Sequence, residues 1–411
     1  MKVSRINVVF GVVFFVATAA FNTAIFAGEC LPCENVSPCD TVDCGDKKSS
    51  FDFGGWAQAG VYTNSHGYRN GLGANGPGHS FTQRNDVNLN QLYLYAEKTL
   101  NTKRGFDFGW RAEALYGSDA WIVSDFNDGN FDAKSQTSRD SGFGYGYGFS
   151  VPQLYASVGY KDLTVKLGKF YTLVGWEAVA ADQEFFYSHT FGYWAEPSTH
   201  TGAVADYKVN DRLSVSAGWT TGLSNSIENK YNDTGFLTGF TFALTDKSNI
   251  YYYTTFGKTK NPGNERDFGL DVDRQDYFIQ SLVFEWLPTD RWQFVTQWDL
   301  NNYTNVGVAR QHSSTYSINQ RVIYKLTDVW SVGTRVEWYK DSEYSWGTED
   351  AEYVGITFGV NFDPNKHLSI RPELRYDAVT AGKGNFDGGV LPYGNGHSDQ
   401  LSGGAALLYR F

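Results

Sequence analysis

Arg291-Trp-Gln-Phe-Val-Thr-Gln-Trp-Asp-Leu-Asn301 sends Trp292, Phe294, Trp298 and Leu300 to one side and Arg291, Gln293, Gln297 and Asp299 to the other. A side-chain period of two is the signature of an extended strand with one apolar and one polar face. Residues 367–377 repeat the pattern, with Leu368, Ile370, Leu374 and Tyr376 set against His367, Ser369, Arg371, Glu373, Arg375 and Asp377. Runs of about ten alternating residues are long for a soluble sheet, whose strands average five to six. They match the 9–11 residues, roughly, that cross a bilayer at a tilt. The apolar rows also start or end on aromatic rings, as interfacial girdles require. Trp330 and Trp338 bracket Val332, Thr334 and Val336 in this way.

Working outward from that stretch, similar segments fill the chain from residue 51 to its end. They fall at 53–63, 86–99, 105–117, 151–160, 163–172, 200–209, 212–221, 236–245, 249–258, 277–287, 291–301, 314–326, 329–339, 353–362, 367–378 and 399–411. Short gaps rich in turn formers, such as Lys161-Asp162, Asn210-Asp211 and Thr327-Asp328, alternate with long ones at 118–150, 173–199, 222–235, 259–276, 302–313, 340–352 and 379–398. An even number of strands with alternating turn and loop lengths predicts an all-β, transmembrane, antiparallel up-and-down β-barrel. The expected count is about 16 strands, with 14 to 18 compatible. The final segment places Leu401, Ala405, Leu407, Tyr409 and Phe411 on one face. Its close on Tyr409 and Phe411 resembles the assembly signal of outer-membrane barrels, which implies recognition by a barrel-assembly machinery.

Composition agrees. Aromatics make up 17% of the 411 residues, Gly numbers 44, and Met occurs only at position 1, a mixture poor in helix formers. Mean hydropathy is −0.40, and no run after residue 27 supplies the roughly 20 apolar residues of a transmembrane helix, so a helical membrane protein is excluded. Residues 1–27 read as a signal peptide for export to the bacterial outer membrane. Lys2 and Arg5 form its charged start, Val8 to Ala20 its apolar centre, and Ala24-Ile-Phe-Ala27 its cleavage site. Loss of Lys2 and Arg5 takes the formal charge from −11 to −13, and so acidic a chain has no general attraction for nucleic acid. Residues 28–50 then form a Cys-rich periplasmic extension, and 51–411 the barrel. Cys30, Cys33, Cys39 and Cys44 would meet an oxidising compartment, where two disulfides in any of three pairings are expected; a tetrathiolate metal knot is the alternative.

Several short stretches sharpen the assignment. Gly55-Trp-Ala-Gln-Ala-Gly60, Asn90-Gln-Leu-Tyr-Leu-Tyr95, and Gly168-Lys-Phe-Tyr171 through Gly175-Trp-Glu177 to His200-Thr-Gly202 resemble the β-barrel porin-2 family. The resemblance spans most of residues 51–411 and implies a large outer-membrane barrel without naming a solute.

With the apolar rows toward lipid, the other rows line the lumen. They carry Arg111, Glu113, Lys166, Arg212, Glu285, Arg291, Asp299, Arg321, Lys325, Arg335, Glu337, Arg371, Glu373, Arg375 and Asp377. Such charges need water or partners, which predicts a wet wall and a channel. The 173–199 gap is unusually apolar and aromatic for an outer loop. It is expected either to fold inward as a constriction or to pack over the rim or at a subunit contact. Folded inward, it would set Glu177, Asp182 and Glu184 opposite Arg321, Arg335, Arg371 and Arg375, creating a transverse field that sorts small ions and polar solutes.

Other patterns carry less. Gly71-Leu-Gly73-Ala-Asn-Gly76 lacks the strand–turn–helix setting of a dinucleotide site. Gly142 to Phe149 reads as a flexible loop or strand edge. Asp125, Asp128, Asn130 and Asp132 could hold Ca²⁺ in an outer loop but lack EF-hand spacing; no other metal or cofactor is expected. Ser198 and His200 show no third partner for lipase-type catalysis, and no G-x-S-x-G elbow is present, so an enzyme is not expected. The reading is a passive pore, with a plugged adhesin or structural barrel as the alternative. Gly403 and Ala405 in the last lipid-facing row would allow close packing in a homotrimer.

Overall fold

The computed structural model describes residues 51–65, 87–123, 147–223, 232–259, 275–306, 311–342, 350–382 and 397–411. The signal peptide, the four cysteines, the Gly71–Gly76 run and the Asp125–Asp132 loop lie outside them. Among the described residues seventeen strand segments follow one another. They are β1 (Phe51–Asn64), β2 (Asn88–Lys98), β3 (Phe106–Gly117), β4 (Gly148–Ser150), β5 (Leu154–Tyr160), β6 (Leu163–Tyr171), β7 (Thr199–Lys208), β8 (Leu213–Thr220) and β9 (Thr234–Thr245). After these come β10 (Ser248–Thr259), β11 (Gln275–Thr289), β12 (Trp292–Val306), β13 (Gln311–Lys325), β14 (Trp330–Ser342), β15 (Ala351–Asn365), β16 (Leu368–Gly382) and β17 (Asp399–Arg410).

Apart from β4 and β5, each strand pairs antiparallel with the next, and β17 pairs with β1, so the sheet closes on itself. Segments β4 and β5 both pair with β3 on either side of Val151–Gln153 and are two pieces of one strand. The barrel therefore has sixteen strands, as the alternation predicts. Phe149, from the Gly/aromatic run, falls inside β4.

The short turns hold themselves. Asn210 Oδ1 accepts the N–H groups of Arg212 (2.8 Å) and Leu213 (3.0 Å), and Asn365 Oδ1 accepts those of His367 (2.9 Å) and Leu368 (3.1 Å). Because the alternation stops at these turns, Arg212 and Arg291 stand exposed at the turn-side rim instead of lining the lumen. Lys325, at the last position of β13, sits at the same rim beside Asp328 (3.1 Å).

At the other end the strands outrun their apolar rows. Strands β11, β12, β13, β15 and β16 each reach 15 residues, so the gaps expected at 302–313, 340–352 and 379–398 are shorter than their sequence suggests. There, outward positions turn polar while the ladder continues. Ser314 donates to Asn302 (2.7 Å), and Lys340 meets Glu352 (3.1 Å). Apolarity marks where lipid ends, and strand pairing does not have to end with it.

The outward rows are as read from the sequence. Trp292, Trp298, Trp330, Ile356, Phe358, Leu374 and Leu407 are exposed on the outer wall. Near the turn-side rim Trp292 packs on Tyr324 and Trp330 on Phe362, each pair with ring centroids 4.4 Å apart, as a girdle requires. The inner rows are less uniform, because the lumen is partly filled by the chain itself.

Candidate pore constriction

Between β6 and β7 the chain turns into the barrel. Its neck is closed by the Thr172 N–H donating to Ser198 O (3.1 Å), and Val174 N–H donates to Thr172 Oγ1 (3.1 Å). Val174 then joins Phe170, Val204, Leu237, Tyr277 and Ile279 in a buried cluster on the inner wall. Further along, Val179, Ala180 and Ala181 pack with Trp56, Tyr93 and Leu115 from β1, β2 and β3. These wall residues are apolar although they point inward, and covering them is what draws the segment into the lumen.

Two glycines make room at its deepest point. A Cβ on Gly333 would stand 2.5 Å from the Phe185 ring, and one on Gly359 would stand 3.0 Å from the Phe186 ring. Only a strand without side chains at these places lets the rings lie on its backbone.

The wall also supplies partners for the segment's own backbone. Gln91 of β2 donates to Val179 O (2.7 Å) and accepts from Ala181 N–H (3.1 Å). Glu373 of β16 accepts the N–H groups of Tyr187 (2.9 Å) and Ser188 (3.1 Å), and Glu337 of β14 accepts that of Phe191 (2.7 Å). Arg335 donates to Ser188 O (2.7 Å), Arg375 to His189 O (2.7 Å) and Arg371 to Ala181 O (2.5 Å). Apart from single 3₁₀ turns at Ala181–Gln183 and Gly192–Ala195 the segment is irregular, and irregular chain deep in a barrel needs such partners, since every unmet N–H or C=O there costs free energy.

Glu177 is the centre of the charge arrangement. Its carboxylate accepts from Arg321 Nη2, Arg335 Nη1 (3.4 Å), His189 Nδ1 (2.9 Å) and Thr190 N–H (3.1 Å). Burial would push its pKa up, but Arg321, His189 and Arg335 hold it well below the usual carboxylate range. Glu184 lies 3.8 Å from Arg321 Nη1 and accepts from Ala178 N–H (2.5 Å); burial, then repulsion from Glu177, raises its pKa. Asp182 points its backbone carbonyl at Arg410 Nη2 (3.4 Å), and its carboxyl is raised by burial against the pull of Arg410 and Arg371. At the far end, Glu196 accepts from Gln297 Nε2 (2.8 Å), which also donates to Asp299 Oδ1 (2.9 Å). Burial and the neighbouring Asp299 raise Glu196 well above the carboxylate range.

The acidic residues and arginines expected to face one another across water are therefore in direct, buried contact, or share the segment's backbone as partner. Arg335 and Arg375 are fully buried, and the guanidinium of Arg375 lies between Asp377 (2.8 Å) and Glu337 (2.9 Å). On the β12–β17 side the wall is dry where a wet one is expected, because the segment itself partners the charges. Across the barrel, inward residues Tyr155, Lys166, Asp206, Thr241 and Tyr251 remain half-exposed. His200 faces the interior, with Nε2 3.1 Å from Thr172 Oγ1, and not the lipid-facing rim that a lipase pair would need.

Comparison with known proteins agrees with this geometry. Residues 50–411 match the family model described as "Putative beta-barrel porin-2, OmpL-like". The chain belongs to that family. No curated protein sequence matches it. Among solved structures it is similar to the in-vitro folded, trimeric OmpT of Vibrio cholerae, at 13% identity and a TM-score of 0.55 over 88% of this chain and 99% of that one. It is similar also to an anion-selective porin from Comamonas acidovorans (11% identity, TM-score 0.55, 88% and 99% covered). A third likeness is the outer-membrane channel DcaP of Acinetobacter baumannii (10% identity, TM-score 0.56, 88% and 97% covered). At such identities the likeness is one of fold, and with the family it puts this barrel among outer-membrane porins.

Sequence reasoning missed His189, Gln91, Arg410 and the glycine sockets. Two signals pointed to them. Several strands are apolar on both rows, as at Tyr277-Phe278-Ile279, and glycines recur at inward positions of β14 and β15. Both require something solid inside the barrel.

Proposed function

We propose that this barrel is a passive diffusion channel for ions and small polar solutes, narrowed by the segment 172–198. The observation carrying the reading is that this segment is fastened by buried ion pairs to one side of the lumen, while polar residues opposite stay half-exposed. Electrostatic selection would then act between the segment's rim and the β5–β10 wall, not across the Glu177–Arg321 contact. Residues 1–27 direct export, 28–50 form the periplasmic extension with its cysteines, and Tyr409 with Phe411 engages the assembly machinery. Three copies associate through lipid-facing surfaces that include the small residues Gly403 and Ala405; the trimeric form of OmpT supports this assembly.

Planar-bilayer recording of the refolded barrel tests the reading. Discrete, reproducible current steps are expected, with a reversal potential under a salt gradient that gives the ion preference. A barrel shown to be inserted but electrically silent would overturn it.

A further inference from the structure

Along β2–β10 the inner segment covers the wall only in part, with Tyr95 and Tyr155 packed at the edges of the clusters that hold Val179 and Val174, and what still shows there has a chemistry of its own. Tyr95 (β2), Arg111 (β3), Tyr155 (β5), Lys166 (β6) and Tyr251 (β10) all point inward, three to five residues from the turn-side ends of their strands, and all are half-buried. The segment contributes Trp176, also half-buried, whose ring centroid is 5.7 Å from that of Tyr251 at an interplanar angle of 58°. Lys166 Nζ lies 5.5 Å from the Tyr155 ring centroid, and the Arg111 guanidinium lies 5.0 Å from that of Tyr95.

The neighbouring charges are mostly committed. Arg111 is bridged to Glu97 and Glu113, each at 2.6 Å. Glu285 accepts from Tyr251 Oη (3.0 Å), Gln293 Nε2 (3.0 Å) and Asn249 Nδ2 (3.3 Å). What faces the passage is therefore a set of aromatic rings edged by hydroxyl and amide groups, by paired charges and by the Lys166 ammonium. Water gains little from ring faces. A solute with one apolar C–H face and a rim of hydroxyls fits both parts of the surface.

From this arrangement we infer that the passage beside the inner segment holds a saccharide-binding track, with Trp176, Tyr155 and Tyr251 as its stacking platforms. The inference rests on the diffusion-channel reading and deepens it by naming the solute class. Opposed arginines and carboxylates across an open pore would favour small ions; here those charges are removed into the wall, and rings take their place along the route.

The experiment records ion current through many inserted channels while maltotriose is titrated, with a polyethylene glycol of similar size as the steric control. Maltotriose should lower the current saturably, whereas the polymer should lower it only in proportion to solution conductivity. Tyr155→Ala on the wall and Trp176→Ala on the segment should each conduct and raise the half-saturating maltotriose concentration about three- to tenfold, the loss of one stacking contact. Tyr155→Ala keeps the test valid if Trp176→Ala loosens the segment. A maltotriose response no different from the polymer's, or an unchanged half-saturation in Tyr155→Ala, overturns the saccharide track and leaves the channel standing. Absence of current steps overturns the channel reading itself, and this inference with it.

Discussion

Replacing Glu177 by Gln keeps the side-chain shape and removes the charge that Arg321 and Arg335 share. What is left for Arg321 is Glu184 at 3.8 Å, and for Arg335 it is Glu337 at 3.7 Å. Removing one partner of a buried ion pair costs about 3–5 kcal/mol. Because both arginines keep a second carboxylate within reach, the lower end, about 3 kcal/mol, is expected. At about 1.4 kcal/mol per tenfold, the undocked population of the segment should rise roughly 100-fold. Hydrogen exchange of the refolded barrel reads this directly. The amides of Tyr187, Ser188 and Phe191 are held by Glu373 and Glu337, not by Glu177, so their faster exchange would report opening and not the loss of their own bond. Their rates should rise by about that factor while wall amides of β14 stay protected, and single-channel current should become larger or noisier. Adding Arg321→Met to Glu177→Gln should recover part of the protection, since it withdraws the arginine that has lost its nearest carboxylate, while Glu184, whose pKa burial already raises, can take up a proton. Unchanged exchange at all three amides in the single variant would refute the ion pair as the fastening of the segment.

Three further outcomes follow from the geometry. Gly333→Val should expel Phe185 from its socket, at an overpacking cost of about 1–3 kcal/mol, and should alter conductance without unfolding the wall; an identical conductance would count against the deep position of that ring. For Glu196 the docked-state pKa is raised, so docking at this end is strongest below the ordinary carboxylate pKa of about 4.3 and weakens as pH climbs toward the raised value, when Glu196 ionises beside Asp299 and Glu177. Glu177, held low, contributes evenly over that range, so conductance measured from weakly acid to alkaline pH should rise in the wild type and rise less in Glu196→Gln, where only the raised carboxyls of Glu184 and Asp182 remain to titrate; equal rises in the two would refute the role of Glu196. Deleting Phe411 removes its two backbone bonds to Gly55 (2.9 and 3.1 Å) and its place at the barrel seam; the fraction migrating as folded barrel in unheated electrophoresis should fall, and an unchanged fraction would remove it from the assembly signal.

How much of this was legible in the sequence depends on which solvent each row of side chains meets. Outward rows face a single, uniform partner, lipid, so the run from Trp292 to Leu300 announces itself, and all sixteen strands could be found from local pattern alone. Inward rows face either water or chain, and the pattern of one strand does not say which. Arg335 and Arg375 look the same in sequence whether they line a wet pore or lie fully buried against the carbonyls of Ser188 and His189. The deciding information is non-local. Glu177 is separated by 144 residues from Arg321 and by 158 from Arg335, and the sockets for Phe185 and Phe186 sit on different strands from the acceptors of their neighbours' amides. The sequence does hold a composite trace of this arrangement: apolar residues on both rows of a strand, glycines on inward rows, and one outer gap too apolar for water. Any one of these is weak, yet each describes the same missing object, a piece of chain thick enough to cover Leu237 and thin enough at Gly333 to lie on bare backbone. A barrel that shows all three should carry its own filling, and the loop whose apolarity exceeds its setting is the segment that supplies it.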